Sequence, residues 1–232
     1  MIYVMSDLHG EYEKYLEMLK KINFRDRDEL YILGDVVDRG NGSIKLLTDM
    51  SMRGNVFPIM GNHDYMASVL LRRINTQITE DNAETQLDDD MTSLMAAWLA
   101  DGGDTTLAEF KALSPDDRDA LIDYMEEFEL YAEVSAGGND FVLVHAGLGD
   151  FDPDRALEDY TVDQLVFDRI DYTERYFENK YLVTGHTPTA LISPEYRGRI
   201  FKMNGHIAID CGATFGMSLG CLCLNDMQEF YV

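Results

Sequence analysis

Positive charge is scarce in this chain: 19 lysines and arginines stand against 43 aspartates and glutamates, a formal net charge of −24 over 232 residues. A surface so acidic repels nucleic-acid backbones rather than displacing their counterions, so DNA and RNA are not expected partners. Cysteine is scarce as well. Cys211, Cys221 and Cys223 form an odd set without a CxxC pair, which argues against a disulfide framework and a thiolate zinc site and leaves reduced core thiols. Long apolar runs are missing: nothing approaches the ~20 residues that span a bilayer. The opening run from Met1 to Ser6 is too short for a signal peptide and lacks a basic leader. The expectation is a soluble, cytoplasmic protein without a membrane partner, and no internal repeat stands out.

What is present is an ordinary globular balance, 46% hydrophobic and 27% charged, consistent with one domain over residues 1–232 carrying a substantial insertion. The first third alternates short apolar runs (Ile2 to Met5, Leu30 to Leu33, Val56 to Met60) with helical spacings at Tyr12, Tyr15, Leu16, Leu19, Ile22 and at Ile44, Leu47, Met50. That is a βαβαβ pattern, a sheet covered by helices. Strand-like runs return at Phe141 to Val144, Tyr181 to Val183, Ile207 to Ile209, Cys221 to Leu224 and Phe230 to Val232, implying two sheets or one large mixed sheet. Between them, residues 65–138 read as a helical cap. Ser114 followed by Pro115 and two aspartates is a good helix start, with an N-cap, proline at the first helical position and negative charge at the positive end of the dipole. Six acids and no base between Glu80 and Asp90 suggest a solvated loop.

Four of the five histidines, His9, His63, His145 and His186, lie adjacent to a glycine or one residue removed, just after a strand-like run. In open α/β sheets ligands bind beyond the carboxyl ends of strands, so four strands would deliver imidazoles to one rim. The segments are Ser6-Asp7-Leu8-His9-Gly10, Gly34-Asp35-Val36-Val37-Asp38-Arg39-Gly40, Gly61-Asn62-His63-Asp64, His145-Ala146-Gly147 and Gly185-His186-Thr187-Pro188. Alone, each is weak; Asp7 and His9 at i and i+2 would point to one side of an extended strand end, as two ligands of one cation would, but such pairs also arise by chance.

As an ordered set, these motifs resemble those of the calcineurin-like metallophosphoesterases, within them the phosphoprotein phosphatase branch that includes bacterial symmetrical dinucleoside tetraphosphatases. The similarity covers both halves of the α/β core and is greatest to small bacterial and phage-type serine/threonine phosphatases. It implies a four-layer α/β/β/α sandwich, two mixed sheets flanked by helices, with a helical cap. It also implies a metal centre in which Asp7 and His9 hold one ion, Asp35 bridges, and Asn62, His145 and His186 complete the second. A shared carboxylate can hold two cations ~3.5–4 Å apart, where they clamp both ends of an in-line displacement. Oxygen and imidazole donors without thiolate favour manganese, iron or zinc, with manganese the expected activator. The resemblance further implies direct attack of a metal-bridging hydroxide on a phosphomonoester, with Arg39 as the fork for phosphate oxygens. His63 would be the acid for the leaving oxygen and Asp38 the residue that sets its tautomer and charge. Arg169, in Leu165-Val166-Phe167-Asp168-Arg169, matches the position of a second phosphate-binding arginine.

Each reading has a plainer rival. Asp38-Arg39 would serve as a surface ion pair in a turn, and Arg169 as a helix-surface arginine paired with Asp168 or Asp171. Asp64 fits an N-cap for a helix beginning near Tyr65 as well as support of His63. His206 reads as structural, Trp98 with Gly102-Gly103 as a core anchor and helix stop, and Arg197 and Arg199 as exposed loop charges. The chain departs from the eukaryotic phosphatases at Ser6, Asp64, Ala146, Gly185-His186-Thr187 and Ile209-Asp210-Cys211-Gly212, which puts eukaryotic-style regulatory subunits and toxin binding in doubt. The expected partner is a phosphoprotein or small phosphoester, with hydrolysis of dinucleoside polyphosphates as the nearest alternative and a non-catalytic metal-binding scaffold as a third.

Overall fold

The computed structural model describes residues 1–77, 79 and 89–232. Two five-stranded sheets pack face to face. The first is built from β1 (Ile2–Met5), β2 (Glu29–Leu33) and β3 (Val56–Ile59), parallel to one another, with β9 (Gly220–Cys223) added antiparallel beside β1 and β10 (Glu229–Tyr231) antiparallel beside β9 at the edge. The second has the order β4 (Tyr131–Ala136), β5 (Asn139–Val144), β6 (Lys180–Thr184), β8 (His206–Ala208), β7 (Phe201–Met203), with β5, β6 and β8 parallel.

Alternation along the strands dictates this layering. Val4, Leu33, Ile59 and Leu222 from the first sheet meet Phe141, Leu143, Val183 and Ile207 from the second in one buried layer. The other face of the first sheet presents Tyr3, Met5, Leu30, Ile32, Cys221 and Cys223 to α1 (Tyr12–Lys21) and α2 (Ser43–Ser51), whose buried faces are Tyr15, Met18, Leu19 and Leu46, Leu47, Met50. Each such side chain, removed from water, contributes about 1.5–3 kcal/mol before chain entropy is counted. The outer face of the second sheet, Val142, Val144 and Leu182, is covered by the chain after β5, including Leu165 and Val166 of α7 (Val162–Val166).

The helices between the two halves are α3 (Asn62–Asn75), α4 (Asp89–Trp98), α5 (Asp104–Lys111) and α6 (Pro115–Glu126), with a wide turn over Leu99–Gly103. The expected helix start holds: the Ser114 hydroxyl accepts from the Asp117 amide at 3.2 Å, with Pro115 first in the helix. The stretch 65–138 is not helical throughout, however. Residues Tyr131 to Ala136 form β4, paired along its length with β5, because Val134 and Ala136 bury while Glu133 and Ser135 face out, a period of two. The short strand β7 was also outside the expected set. The acidic stretch from Glu80 lies outside the described residues up to Asp88, and α4 begins immediately after it. Among the described residues no helix is long and apolar enough to cross a membrane.

The carboxyl ends of β1, β2, β3, β5, β6 and β8 converge on one rim. Among the described residues, six of the ten non-glycine residues with positive φ are there: Asp7, His9, Asp35, Asp38, Arg39 and His186. Such backbone costs about 1–3 kcal/mol per residue and persists where the surroundings over-determine it, commonly at functional sites.

Candidate active site

His9, Asp35 and His63 each present one ligand atom, all within 4.8 Å of one another, and Asp35, His145 and His186 form a second such group. Asp35 belongs to both. One of its oxygens is 3.5 Å from His9 Nε2 and the other 3.4 Å from His145 Nε2. Its place is fixed from behind, where Oδ1 accepts from the His63 amide at 3.0 Å. A Cβ on Gly61 would fall 2.3 Å from the Asp35 amide nitrogen and carboxylate, so only glycine lets the β2 and β3 loops approach this closely.

Backbone carbonyls set the ring tautomers. His9 donates Nδ1–H to the Val37 carbonyl at 2.9 Å and His145 donates Nδ1–H to that of Leu33 at 2.7 Å. Both Nε2 lone pairs therefore face the centre, the orientation a ligating histidine needs. Burial disfavours the charged form of these rings: it pushes His9 down to about 3 and lowers His145, and with the neighbouring His145 it pushes His186 down to about 4. The Asn62 carbonyl oxygen lies 3.0 Å from His145 Nε2 and 3.0 Å from His186 Nδ1. With the His145 proton committed to Leu33, an oxygen and a nitrogen lone pair meet there, and a cation satisfies such a convergence. The donor set of carboxylate, amide oxygen and imidazole suits a divalent ion of intermediate hardness.

Asp7 sits beside these groups rather than within them. Its carboxylate accepts from the His186 amide, at 3.2 and 3.0 Å, and from the Ser6 hydroxyl. Burial, Asp210 and Asp35 together push its carboxyl well above the usual range. Asp210, at the end of β8, was seen in the sequence only as a departure from the eukaryotic pattern. It is buried and raised to about 7, by burial and then Asp35, while its Oδ1 accepts from the Gly212 amide at 2.9 Å. Three buried acids that oppose one another's ionisation call for positive charge. Asp35 itself stays well below the ordinary range: burial opposes its charge, but the imidazoles of His145, His63, His9 and His186 outweigh it.

Asp38 is the centre of a second network. His63 donates Nδ1–H to its Oδ2 at 2.8 Å, Trp98 donates its indole N–H to the same oxygen at 2.8 Å, and the Thr106 hydroxyl donates to Oδ1 at 2.7 Å. Burial works against a charged His63, yet Asp35 and the hydrogen bond to Asp38 prevail and raise its pKa. Trp98 is thus more than a core anchor, and Thr106 was not foreseen. Asp64 opens α3: its carboxylate accepts from the Gly61 amide at 3.1 Å and from those of Val36 and Val37 at 3.0 and 3.3 Å. It caps the helix and ties down the loop bearing Asp38 and Arg39, with the helix starting three residues earlier than expected.

Arg39 is part of the site and not a surface ion pair with its neighbour. Its Nη1 donates to His9 Nε2 at 2.7 Å, and its Nη2 lies 2.9 Å from His63 Nε2. Nη2 also donates to Asp101 at 3.0 Å, and the guanidinium lies 5.6 Å from the Phe215 ring. Arg169 follows α7 and is exposed; its charge reaches His186, whose pKa it helps to lower, and Tyr172. Arg197 and Arg199 are exposed. His206 is structural: it donates Nε2–H to the Glu174 carbonyl at 2.8 Å and packs edge-on against Tyr172 and Tyr176. Asp101 went unnoticed because nothing in its local sequence separates it from other exposed acids in the cap.

Sheets that gather carboxylate, amide and imidazole ligands beside a guanidinium and a histidine of raised pKa define a metal-dependent phosphoester site. The model of the calcineurin-like phosphoesterase family matches residues 1–210, and the chain belongs to that family. A bis(5'-nucleosyl)-tetraphosphatase PrpE (asymmetrical) of Geobacillus thermodenitrificans is 25% identical, over 99% of this chain and 92% of the relative. A symmetrical bis(5'-nucleosyl)-tetraphosphatase of Wigglesworthia glossinidia brevipalpis is 31% identical over 42% of this chain, and the match spans only 36% of that relative's length. Among solved structures, a candidate diadenosine tetraphosphatase superposes with a TM-score of 0.70 at 15% identity, covering 100% of this chain and 92% of the other. A Saccharomyces cerevisiae protein serine/threonine phosphatase gives 0.56 at 16% identity, covering 95% and 71%. At these identities the structural neighbours speak to the fold: two mixed sheets flanked by helices.

Proposed function

We propose that this protein hydrolyses phosphomonoesters, with phosphorylated serine or threonine side chains of proteins as the substrate class, using two divalent ions of which manganese is the activator. The observation that carries this reading is the pairing of a metal-competent group around Asp35 with the Asp38–His63–Arg39 network at hydrogen-bond distance. Asp7, His9, Asp35, Asn62, His145 and His186 would hold the ions. When bound, such a pair supplies a water of lowered pKa as nucleophile and neutralises phosphate oxygens.

The chain's own residues do the rest. Arg39 offers two parallel N–H groups to non-bridging phosphate oxygens and draws the ester toward His63. Arg169, whose charge reaches His186, would be the second arginine to meet the phosphate. His63, kept charged by Asp35 and Asp38, gives its Nε2 proton to the departing ester oxygen. The P–O bond to the leaving group breaks as water's oxygen joins phosphorus, and alcohol and inorganic phosphate result without a phosphoenzyme. His63 regains its proton from solvent once the alcohol has left.

A second reading, hydrolysis of dinucleoside tetraphosphates, is favoured by the names of the relatives. Purified full-length protein supplied with manganese, assayed on a phosphopeptide and on diadenosine tetraphosphate with a chelator control, tests both. Chelator-sensitive turnover of the phosphopeptide at least tenfold above that of the tetraphosphate supports the monoester reading. The reverse order replaces it with the second, and no turnover of either despite bound metal leaves only a scaffold.

A further inference from the structure

Resting on the reading of Arg39 as the phosphate fork, we propose that Asp101 is a specificity-determining residue of this site. Its carboxylate competes with the substrate's phosphate for Arg39 and His63, and it selects against esters that carry another anionic group next to the scissile phosphate.

The contact is built on both sides. Asp101 Oδ1 accepts from Arg39 Nη2 at 3.0 Å and Oδ2 lies 3.4 Å from His63 Nε2. A phosphate seated on the fork with its ester oxygen at His63 needs the same two groups. The backbone that carries the acid is pinned in place. The Arg39 amide donates to the Gly102 carbonyl at 3.0 Å, and a Cβ on Gly102, at φ +99°, would fall 2.7 Å from Arg39 Cγ and 3.0 Å from Arg39 Cα. One turn earlier, the Trp98 indole is tied to Asp38. The wide turn over Leu99–Gly103 therefore cannot retreat without breaking the network around His63.

The side chain itself is free to move. Asp101 is 55% exposed while Arg39 is 26% exposed, so the carboxylate can rotate into water as phosphate arrives. Having yielded, it stays within one side-chain length of the ester oxygen, because His63 marks the leaving-group side. There it repels any further phosphate attached to that oxygen and accepts a hydrogen bond from a neutral donor such as a hydroxyl or peptide N–H. The favoured leaving group is thus a neutral alcohol with donors near the ester oxygen, which a phosphorylated side chain in a polypeptide provides and a polyphosphate does not.

The test uses the full chain, wild type against Asp101→Asn, with Asp101→Ser as a second variant and Arg39→Ala as a control. Binding of inorganic phosphate is measured by calorimetry with and without manganese, and kcat/KM is measured on a phosphopeptide and on diadenosine tetraphosphate. Loss of the competing charge is expected to tighten phosphate about fivefold and to raise the tetraphosphate-to-phosphopeptide ratio about tenfold. Phosphate binding that depends on Arg39 but is the same in wild type and both Asp101 variants overturns the role of Asp101 alone. Binding that ignores Arg39→Ala overturns the assignment of the fork and the proposal with it.

Discussion

Trp98→Phe separates a packing residue from a member of the catalytic network. The indole N–H lies 2.8 Å from Asp38 Oδ2, and Trp98 is fully buried. Losing a hydrogen bond to a carboxylate costs about 1.5–3 kcal/mol, and the atoms missing from the smaller ring add about 1 kcal/mol of lost burial. A loss near 3 kcal/mol lowers the melting temperature of a domain this size by about 6–12 °C. Packing alone would also lower it, so stability cannot decide the question.

The pH profile can. Asp38 keeps two donors, His63 and Thr106, and with the indole gone its oxygen accepts more strongly from the imidazole. The His63 pKa, already raised by Asp35 and Asp38, then rises further. A general acid is competent below its pKa, so the alkaline limb of kcat/KM should move to higher pH. Denaturation in urea and a pH–rate series on a phosphopeptide measure both effects. A variant that is destabilised yet keeps the wild-type alkaline limb refutes the coupling of Trp98 to His63.

Four further outcomes are expected. His63→Asn should lower turnover by about 10² or more while metal content stays near that of wild type; unchanged turnover in a steady-state assay removes it as the acid. Asp35→Asn should lose bound manganese by elemental analysis, and a variant retaining two ions per chain ends the bridging assignment. Gly61→Ala, whose Cβ would meet Asp35 at 2.3 Å, should lose metal as well as stability, and wild-type metal content would show that the two loops can part. Burial holds His206 below its ordinary pKa, so the unfolded chain takes up a proton near pH 6.5 that the folded chain refuses. Stability from this group is then full above pH 6.5 and falls as pH drops below it. His206→Gln should flatten that acid-side loss in urea midpoints, and equal slopes in the two proteins would exclude the effect.

Much of this was legible because strand ends carry the chemistry. Each histidine motif follows an apolar run of strand length, so the sequence places His9, His63, His145 and His186 at carboxyl ends before any distance is known, and the structure brings them to one rim. What stayed hidden depends on long-range packing. Strand β4 follows a helical pattern without a strong break, and only its alternation against β5 separates it from the cap. Asp101 lies 62 positions from Arg39 and Thr106 lies 68 from Asp38, and no local signature distinguishes them from solvated cap residues. Asp210 could have been suspected: an acid directly after an apolar strand repeats the logic of Asp7 and Asp35.

The chain's acidity also takes on a different sense at the rim. A net charge of −24 makes phosphate an unlikely visitor by long-range attraction, and at physiological salt, fields beyond about 8 Å are screened in any case. Affinity must therefore be local. Asp7, Asp35 and Asp210 concentrate negative charge where two of the three resist ionising unless cations arrive, so binding of divalent ions relieves repulsion already present in the fold. On the proposed reading, Arg39 would then face a site whose local charge those ions have reversed, and Asp101 would be the anion that a phosphate displaces. In that order of events, metal loading should precede phosphate binding, and on the proposal above Asp101 would bias which esters follow.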